Sequence, residues 1–293
     1  MIEILDPGPL TTLQDTGRMS YAHLGVSRSG AADRAAYALA NRLVGNAPAA
    51  AALEITLGGL AMRFTSAATI ALTGAPCPGA DFGVARSVPA GTQLRLLAPM
   101  TGVRSYLAIR GGIDVRPVLG SRSTDTLSGL GPAPLRAGDM LPVGNFVAGD
   151  VSGEIAVAEA PARLVHVIPG PRDDWFVADA LDTLTSAVWT VRPESDRVGV
   201  RLDGPQLIRQ RQEELPSEPT LPGALQVPAD GRPIVLGPDA PVTGGYPVLS
   251  VVRDRDLDVL AQLRPGDQLQ FAVARDQSVP FAVAHPADDQ ERR

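Results

Sequence analysis

The residues Leu135–Leu141 read L-R-A-G-D-M-L, and the residues Leu263–Leu269 read L-R-P-G-D-Q-L. Each copy lies downstream of a V-L-G sequence, at Val118–Gly120 and at Val235–Gly237. Self-similarity at this distance suggests two related halves and not a short-period solenoid. We interpret each copy as a turn that feeds a strand. Paired β-rich halves create a crevice, and crevices are where small molecules usually bind.

The composition is that of an ordinary globular protein. The 293 residues can form one large domain or two ordinary ones, and 44% of them are hydrophobic. The net charge of −6 gives no electrostatic footprint for nucleic acid, and a membrane surface is equally unsupported. All 26 basic residues are arginine. The lack of lysine excludes a P-loop lysine, a Schiff base and covalently attached biotin on this chain.

Several features bound the compartment. The chain has a single cysteine, Cys77, and its first residues carry acids where a signal peptide needs positive charge. No apolar run approaches the length of a membrane span. These features predict a cytoplasmic protein.

Short alternating or β-branched runs, separated by glycine and proline turns, predict a mainly β fold built from barrels or sandwiches. A few amphipathic helices are expected in addition, at residues 32–44, 173–184 and 254–263.

An internal boundary is predicted within the glycine-rich stretch 144–162. It divides the chain into an N-terminal β-rich subdomain with one helix (residues 1–155) and a C-terminal subdomain (156–283). The last residues, 284–293, form a polar tail.

The sharpest chemical element is Thr243-Gly244-Gly245-Tyr246. Two glycines allow positive φ angles and a close approach to a ligand, and their N–H groups could bind a carboxylate, carbamate or phosphate. Tyr246 adds a hydroxyl, and Asp239 lies on the same loop. The alternative interpretation is a hairpin turn with an aromatic plug.

Two arginine segments are further candidates for anion binding. Arg122 lies among hydroxyls in Ser121–Asp125, which could hold an oxyanion or form a Ser/Thr-capped turn. Arg197 and Arg201 are spaced to share one face of a strand. They could line an anionic-substrate groove, or pair with Asp203 and Glu194 as a structural network.

The histidines provide no metal site by their spacing. His23, His166 and His285 show no ligand spacing among themselves or with Cys77. His23 precedes a Leu-Gly pair in a glycine-rich region and is the better site candidate, whereas His166 and Cys77 are interpreted as buried structural residues.

A series of motifs recurs in a fixed order along the chain. They are T-L-Q-D-T-G-R (12–18), H-L-G-V (23–26), L-A-N-R-L-V-G-N (39–46), L-E-I-T-L-G-G (53–59), L-T-G-A (72–75), Y-L-A-I-R-G-G-I-D (106–114), V-L-G-S-R-S-T-D (118–125), L-R-A-G-D-M-L-P-V-G (135–144), D-R-V-G-V-R-L-D-G (196–204), L-P-G-A-L-Q-V-P (221–228), G-R-P-I-V-L (231–236) and T-G-G-Y-P (243–247). Together they resemble the carboxyltransferase subdomain A/B family. This family includes the C-type subunit of 5-oxoprolinase, proteins named allophanate hydrolase subunit 2 and the corresponding region of urea carboxylase.

The resemblance implies a β-rich fold with a cyclophilin-like barrel in the second half. It also implies a small partner protein like the B-type subunit of 5-oxoprolinase, often with a third, A-type subunit. The implied activity is ATP-dependent opening of 5-oxoproline to glutamate, with ATP bound by the complex. This chain alone is expected to be inactive.

The resemblance places a crevice at Gln226, Asp239 and the Thr243–Tyr246 loop. We expect Asp239 and Tyr246 to be catalytic. The expected substrate-binding residues are Gln226, Thr243, Gly244, Gly245, Arg197, Arg201 and Arg122, and no metal is expected.

The chain departs from the family pattern just before this loop. The family commonly shows glutamine and threonine there, whereas this chain has Pro241 and Val242. One alternative function is carboxyl transfer to urea or a related amide from carboxybiotin on another protein. The other is a non-catalytic subunit that antagonises a kinase inhibitor.

Overall fold

The first half of the chain folds into two antiparallel sheets. The computed structural model describes residues 1–158, 160 and 162–274. The strands of this half are β1 (Ile2–Pro7), β2 (Leu10–Gln14), β3 (Ala52–Thr56), β4 (Leu60–Phe64), β5 (Ala68–Gly74), β6 (Ala85–Val88), β7 (Gln93–Arg95), β8 (Arg104–Ile109) and β9 (Met140–Leu141). One sheet has the order β7-β4-β1-β9 and the other β2-β3-β8-β5-β6. Apolar side chains from both sheets form one buried cluster, which is the core of this half.

The second half is a closed barrel. Its strands, together with those of a small attached sheet, are β10 (Leu164–Pro169), β11 (Trp189–Val191), β12 (Gly199–Asp203), β13 (Glu218–Pro219), β14 (Ala224–Gln226), β15 (Ile234–Leu236), β16 (Thr243–Gly244), β17 (Val248–Val252) and β18 (Gln268–Val273). The barrel order is β10-β17-β14-β15-β12-β11-β18, while β13 and β16 pair outside it. The parallel pairing of β10 with β18 closes the ring, so no barrel strand is left as an open edge.

The prediction of a mainly β protein with a barrel in its second half is confirmed, with 32% of the described residues in strands and 11% in helices. The idea of two related halves is wrong at the level of architecture, because the first half has two open sheets and the second a closed barrel. The division at residues 155/156 stays a prediction, and the predicted polar tail 284–293 lies outside the described residues.

The L-R-x-G-D-x-L repeat is the same turn used twice. In each copy the aspartate carboxylate accepts the arginine N–H, at 2.7 Å in Asp139–Arg136 and 2.9 Å in Asp267–Arg264. The intervening glycine has a positive φ of 92° or 86°, which glycine adopts without steric cost. One turn feeds β9 and the other feeds β18. The interpretation as a turn that feeds a strand is therefore confirmed.

The first helix follows the prediction, and the other two are shorter than predicted. Helix α1 (Arg34–Leu43) packs on the five-stranded sheet, with the side chain of Asp33 capping its N-terminus. In place of one helix over 173–184, the structure has a 3-10 turn and then α2 (Ala180–Ser186). The break lies at Phe176, which is extended and buried and bridges to Arg209. Tertiary packing of this aromatic side chain overrides the helical pattern.

The third helix is also interrupted. Residues Asp254–Asp256 form a 3-10 turn, and α3 (Leu257–Leu260) is a single α-helical turn. Asp256 is held by the barrel, because its carboxylate accepts the backbone N–H of His166 at 2.6 Å and contacts His166 Nδ1 at 2.8 Å. His166 is half-buried and paired to this carboxylate, which corrects its interpretation as a core residue.

Gln262, just after α3, joins the barrel to the first half. Its amide nitrogen donates to Asp33 Oδ2 at 2.6 Å and to the Arg104 carbonyl at 2.9 Å. Its amide oxygen accepts the N–H groups of Val103 and Arg104, both at 3.0 Å. One buried side chain thus satisfies four polar groups of the first half.

Replacing Gln262 with alanine is expected to destabilise the protein by about 2 to 4 kcal/mol, because buried backbone groups of Val103 and Arg104 lose their partners. Urea denaturation monitored by circular dichroism measures this loss. Gln270→Ala, at an exposed position of β18, is the matched control and should change stability by less than about 0.5 kcal/mol. Equal destabilisation by the two substitutions would contradict the role given to Gln262.

A second prediction concerns pH. Burial raises the pKa of Asp33 to about 6, although hydrogen bonds from Gln262 and Ala36 act in the opposite direction. Because the folded state disfavours the ionised carboxyl, the stability that Asp33 contributes is present at low pH. It is lost as the pH rises from about 4 to about 6, a change of about 3 kcal/mol.

Asp33→Asn removes this titration, and any loss of hydrogen bonding to Gln262 is independent of pH. The stability of the variant relative to the unsubstituted protein should therefore rise between pH 4 and pH 6.5. Urea midpoints measured across that range test the sign. A constant difference, or one that falls with pH, would show that Asp33 does not titrate as its burial requires.

Candidate functional site

A buried cluster of charges lies where the two halves meet. The Arg197 side chain is 2% exposed and donates from Nε and Nη2 to the Asp239 carboxylate, at 2.8 and 2.9 Å. Its Nη1 donates to Glu54 Oε1 at 2.6 Å, and Nη2 also donates to the Gly30 carbonyl at 2.7 Å. Glu54 belongs to β3 of the first half, whereas Arg197 and Asp239 belong to the second half. One guanidinium therefore joins carboxylates from both halves.

Asp239 has no free hydrogen-bonding capacity for catalysis. Its carboxylate is 0% exposed and also accepts the hydroxyl of Ser29 at 2.7 Å. The N–H and hydroxyl of Thr126 donate to it at 2.9 and 2.8 Å. Because these donors and the two from Arg197 fill both oxygens, the carboxylate is an anchor of the junction. The catalytic role of Asp239 stays a prediction, and the geometry gives this carboxylate a structural one.

The charges of the cluster stabilise one another. Burial alone would lower the pKa of Arg197, but the carboxylates of Glu54 and Asp239 raise it above its ordinary value. Burial alone would raise the pKa of Glu54, whereas Arg197 and Arg104 bring it below its ordinary value. Tyr106 donates its hydroxyl to Glu54 at 2.7 Å, which satisfies the second carboxylate oxygen. Arg197 and Glu54 are therefore both charged at neutral pH.

The structural interpretation of Arg197 was the correct one, but its expected partners were wrong. Arg197 precedes β12 and is directed into the junction, while Arg201 lies within β12 and is exposed. The two arginines therefore do not share a face. Arg197 binds Glu54 and Asp239 in place of Glu194 and Asp203.

The Ser121–Asp125 loop does hold an oxyanion, and that oxyanion is the carboxylate of Asp15. Ser121 and Ser123 donate their hydroxyls to Asp15 at 2.7 and 2.5 Å, and the Arg122 backbone N–H donates at 2.6 Å. The loop therefore binds a group of its own chain, and this site is filled.

The side chain of Arg122 is occupied as well. Its Nε donates to the Val115 carbonyl at 2.8 Å, and Nη2 contacts Asp114 at 3.0 Å. The guanidinium lies 4.5 Å from the centre of the Phe146 ring. These contacts give Arg122 a structural role, and its role as a substrate ligand stays a prediction.

The Thr243–Tyr246 loop is on the surface, and its glycines are used differently from the prediction. Neither Gly244 nor Gly245 has a positive φ, so they form no anion-binding nest. Gly244 lies in β16, and a Cβ there would be 2.6 Å from Gln226 Nε2. The same Nε2 donates to the Tyr246 carbonyl at 3.4 Å, and Tyr246 is 48% exposed.

The structure brings together only part of the predicted site. The residues that belong to the exposed Thr243–Tyr246 loop or lie directly behind it are Gln226, Thr243, Gly244, Gly245 and Tyr246. Among the described residues, no hydrogen bond or ion pair connects this group to Arg122, Arg197 or Arg201, or to the carboxylate of Asp239. Pro241 and Val242 hold the start of this loop in place, because the Pro241 carbonyl accepts the Thr220 hydroxyl and the Val242 carbonyl accepts the Thr220 N–H.

A cleft of about 400 Å³ lies between the halves, where the sequence predicted a crevice, but Gln226, Asp239 and the Thr243–Tyr246 loop do not line it. Helix α1 forms one wall with Tyr37 and Ala38, and the barrel forms the other with Val200 and Leu236, next to Leu257 of α3. The sequence analysis also missed Glu54, although a carboxylate between two apolar strand residues was the available signal.

In residues 1–158, 160 and 162–274, no helix combines the length and apolar composition of a membrane span. No group of three or more His, Cys, Asp or Glu side chains there is placed to share a metal ion.

Comparison with known proteins agrees with the fold. Residues 24–273 match the family model described as carboxyltransferase domain, subdomain A and B. The chain is 39% identical to the C-type subunit of 5-oxoprolinase from Escherichia coli and 34% identical to that from Haemophilus influenzae. In both cases the match covers 92% of this chain and 90% of the relative.

Two solved structures have the same fold within longer chains. The urea amidolyase of Kluyveromyces lactis superimposes with a TM-score of 0.83 at 31% identity, over 92% of this chain and 18% of that one. Another solved structure, 36% identical with a TM-score of 0.83, is matched over 56% of its length, so this chain spans about half of it. The chain belongs to the carboxyltransferase domain, subdomain A and B, family.

Proposed function

We propose that this chain is the C-type subunit of a 5-oxoprolinase that opens the cyclic amide 5-oxoproline to glutamate, with ATP hydrolysis driving the reaction. The observation that carries the proposal is the 39% identity to the C-type 5-oxoprolinase subunit of Escherichia coli over 90% of that protein. The relative from Haemophilus influenzae supports the same assignment at 34% identity.

The arrangement of polar groups favours a protein that works with partners. The carboxylates of Asp15 and Asp239, which lie at the junction, are held by internal donors. Gln226 and Tyr246 lie at the surface loop Thr243–Tyr246 and not in an enclosed pocket. A second chain packed against this loop would exclude water from it. We propose that the partners are a small subunit of the B type and a third subunit of the A type.

This chain lacks the P-loop type of ATP site. The chain has no lysine to contact a phosphate, and the N-terminus of α1 is already capped by the carboxylate of Asp33. A carboxylate at that position repels a phosphate, which would otherwise bind a free helix N-terminus. We therefore propose that ATP binds to one of the partner proteins.

In this proposal Gln226 and the Thr243–Tyr246 loop supply neutral hydrogen-bonding groups for an amide substrate. The Gln226 amide is 6% exposed behind Gly244, and the Tyr246 hydroxyl can donate to a carbonyl oxygen. Such donors stabilise negative charge that develops on the oxygen during amide opening. Thr243 and Gly245 form the exposed side of the loop.

A second candidate function is carboxyl transfer to urea or a related amide. It is favoured by the 34% identity to the urea amidolyase of Lachancea kluyveri, although this chain covers 17% of that protein. Because this chain has no lysine, carboxybiotin would have to be carried by another protein.

Coexpression of the chain with its proposed small and third partners tests the proposal. The purified complex is expected to release glutamate from 5-oxoproline only when ATP is present, with ADP formed in step. This chain alone should release none. Bicarbonate-dependent consumption of urea is assayed in parallel. A complete complex that consumes urea and leaves 5-oxoproline intact would replace the first function with the second.

Gly244→Ala tests the role of the Thr243–Tyr246 loop in turnover. The new Cβ would lie 2.6 Å from Gln226 Nε2 and would displace that amide. We expect at least a tenfold fall in turnover by the complex, about 1.4 kcal/mol in transition-state stabilisation. Gly149→Ala is the matched control, because a Cβ there meets nothing within 4 Å. Unchanged turnover for a folded Gly244→Ala complex would show that the Thr243–Tyr246 loop is not part of the active site.

A further inference from the structure

The cleft between the halves has the walls of a small-molecule site. Its volume of about 400 Å³ is in the range of ligand pockets. Carbon atoms dominate the walls, with Ala38 on the α1 side and Val200, Leu236 and Leu257 on the barrel side. A ligand that fits between them must carry an apolar body.

The charged groups that line this cleft are matched, with one exception. Asp15 is held by the Ser121–Asp125 loop, and Asp196 accepts the N–H groups of Val198 and Gly199 at 2.8 and 3.0 Å. Arg34 forms ion pairs with Asp254 and Asp258, at 2.8 and 3.2 Å. Arg104 pairs with Glu54 at 3.4 Å.

Arg28 is the exception. In the part of the chain that the structure describes, its guanidinium forms no ion pair and makes one long hydrogen bond, from Nε to the Thr16 carbonyl at 3.4 Å. The Arg28 side chain is exposed at the edge of the cleft. Its partial burial lowers the pKa of Arg28, and the nearby positive charge of Arg34 lowers it further, with Asp254 acting in the opposite direction. A negative group beside Arg28 would raise this pKa.

The backbone around Arg28 is fixed from both halves. Ser29 has a φ of 53°, which is uncommon for a residue other than glycine. Its N–H donates to the Pro238 carbonyl at 3.0 Å, and its hydroxyl donates to Asp239. On the other side, a Cβ at Gly17 would be 2.6 Å from the Arg28 carbonyl oxygen. Strained positions that their surroundings hold in this way cluster at ligand sites.

We propose that this cleft binds a small organic monocarboxylate, with the carboxylate at Arg28 and an apolar body between α1 and the barrel. 5-Oxoproline carries one carboxylate on a small ring, in which two CH₂ groups lie beside the amide. The identity of the ligand rests on the proposed function, whereas the class of ligand rests on the cleft. Glutamate, the product, carries additional charges that the carbon walls disfavour.

Calorimetric titration of the purified full chain tests the assignment. 5-Oxoproline and cyclopentanecarboxylate are both expected to bind, and 2-pyrrolidinone, which lacks the carboxylate, should bind at least tenfold more weakly. Arg28→Gln should weaken carboxylate binding about tenfold or more. Arg95→Gln is the matched control, because Arg95 is exposed on β7 and away from the cleft.

A second pair of variants tests the cleft without altering charge. Ala38→Leu places a larger side chain in the cleft, while Ala35→Leu places the same side chain on α1 outside it. Both keep a strong helix former. The first should weaken binding of 5-oxoproline about tenfold, and the second should leave it unchanged.

The two proposals fail in different ways. Absence of carboxylate binding, or equal affinity for the Arg28→Gln, Ala38→Leu and control proteins, overturns the cleft assignment. Turnover of 5-oxoproline by a complex whose chain shows no Arg28-dependent carboxylate binding overturns the cleft assignment and leaves the proposed 5-oxoprolinase function intact. A complete complex that does not turn over 5-oxoproline, together with Arg28-dependent carboxylate binding by this chain, sinks the function and supports the cleft.

Discussion

The ion pairs of Arg197 with Glu54 and Asp239 are the interaction on which the rest of the structure depends. They bury charges from both halves in a region almost without solvent access, and Arg104 adds a second cation beside Glu54. Two cations thus face two carboxylates, so this cluster carries no unmatched charge. Removing one member of such a cluster leaves a buried charge without a partner, which typically costs several kcal/mol. The halves are consequently held in one relative orientation.

This orientation is extended by a continuous polar network. Glu54 accepts the Tyr106 hydroxyl, which in turn accepts the Asp33 N–H, and the Asp33 carboxylate accepts the Gln262 amide. The network therefore runs from the Arg197 cluster through the start of α1 to the segment after α3. Both walls of the cleft are attached to it, since α1 lies on one side and α3 on the other. A cleft fixed in this way loses little conformational entropy when a ligand binds.

The local sequence pattern was enough to predict several of the secondary-structure elements, but it was not enough to predict the site. The L-R-x-G-D-x-L turns and α1 could be predicted because a glycine, an aspartate or a helical stripe determines them within a few residues. The partners of Arg197 could not, because Glu54 is 143 positions away in the chain. The same holds for Asp239, whose bond to Ser29 spans 210 positions. The break at Phe176 was equally invisible, since it depends on where an aromatic side chain is buried.

The residues that looked most reactive are the ones that the fold uses internally. Asp15, Asp239, Arg122 and Arg197 all use hydrogen-bonding capacity on neighbours of the same chain. A charged side chain acts on a substrate only if some of that capacity is free, because breaking a buried bond to obtain it costs more than a new one returns. Arg28 and Tyr246 have free hydrogen-bonding capacity, and both lie at surfaces open to a ligand or a second chain. These two places are therefore where the proposals put the chemistry of this chain.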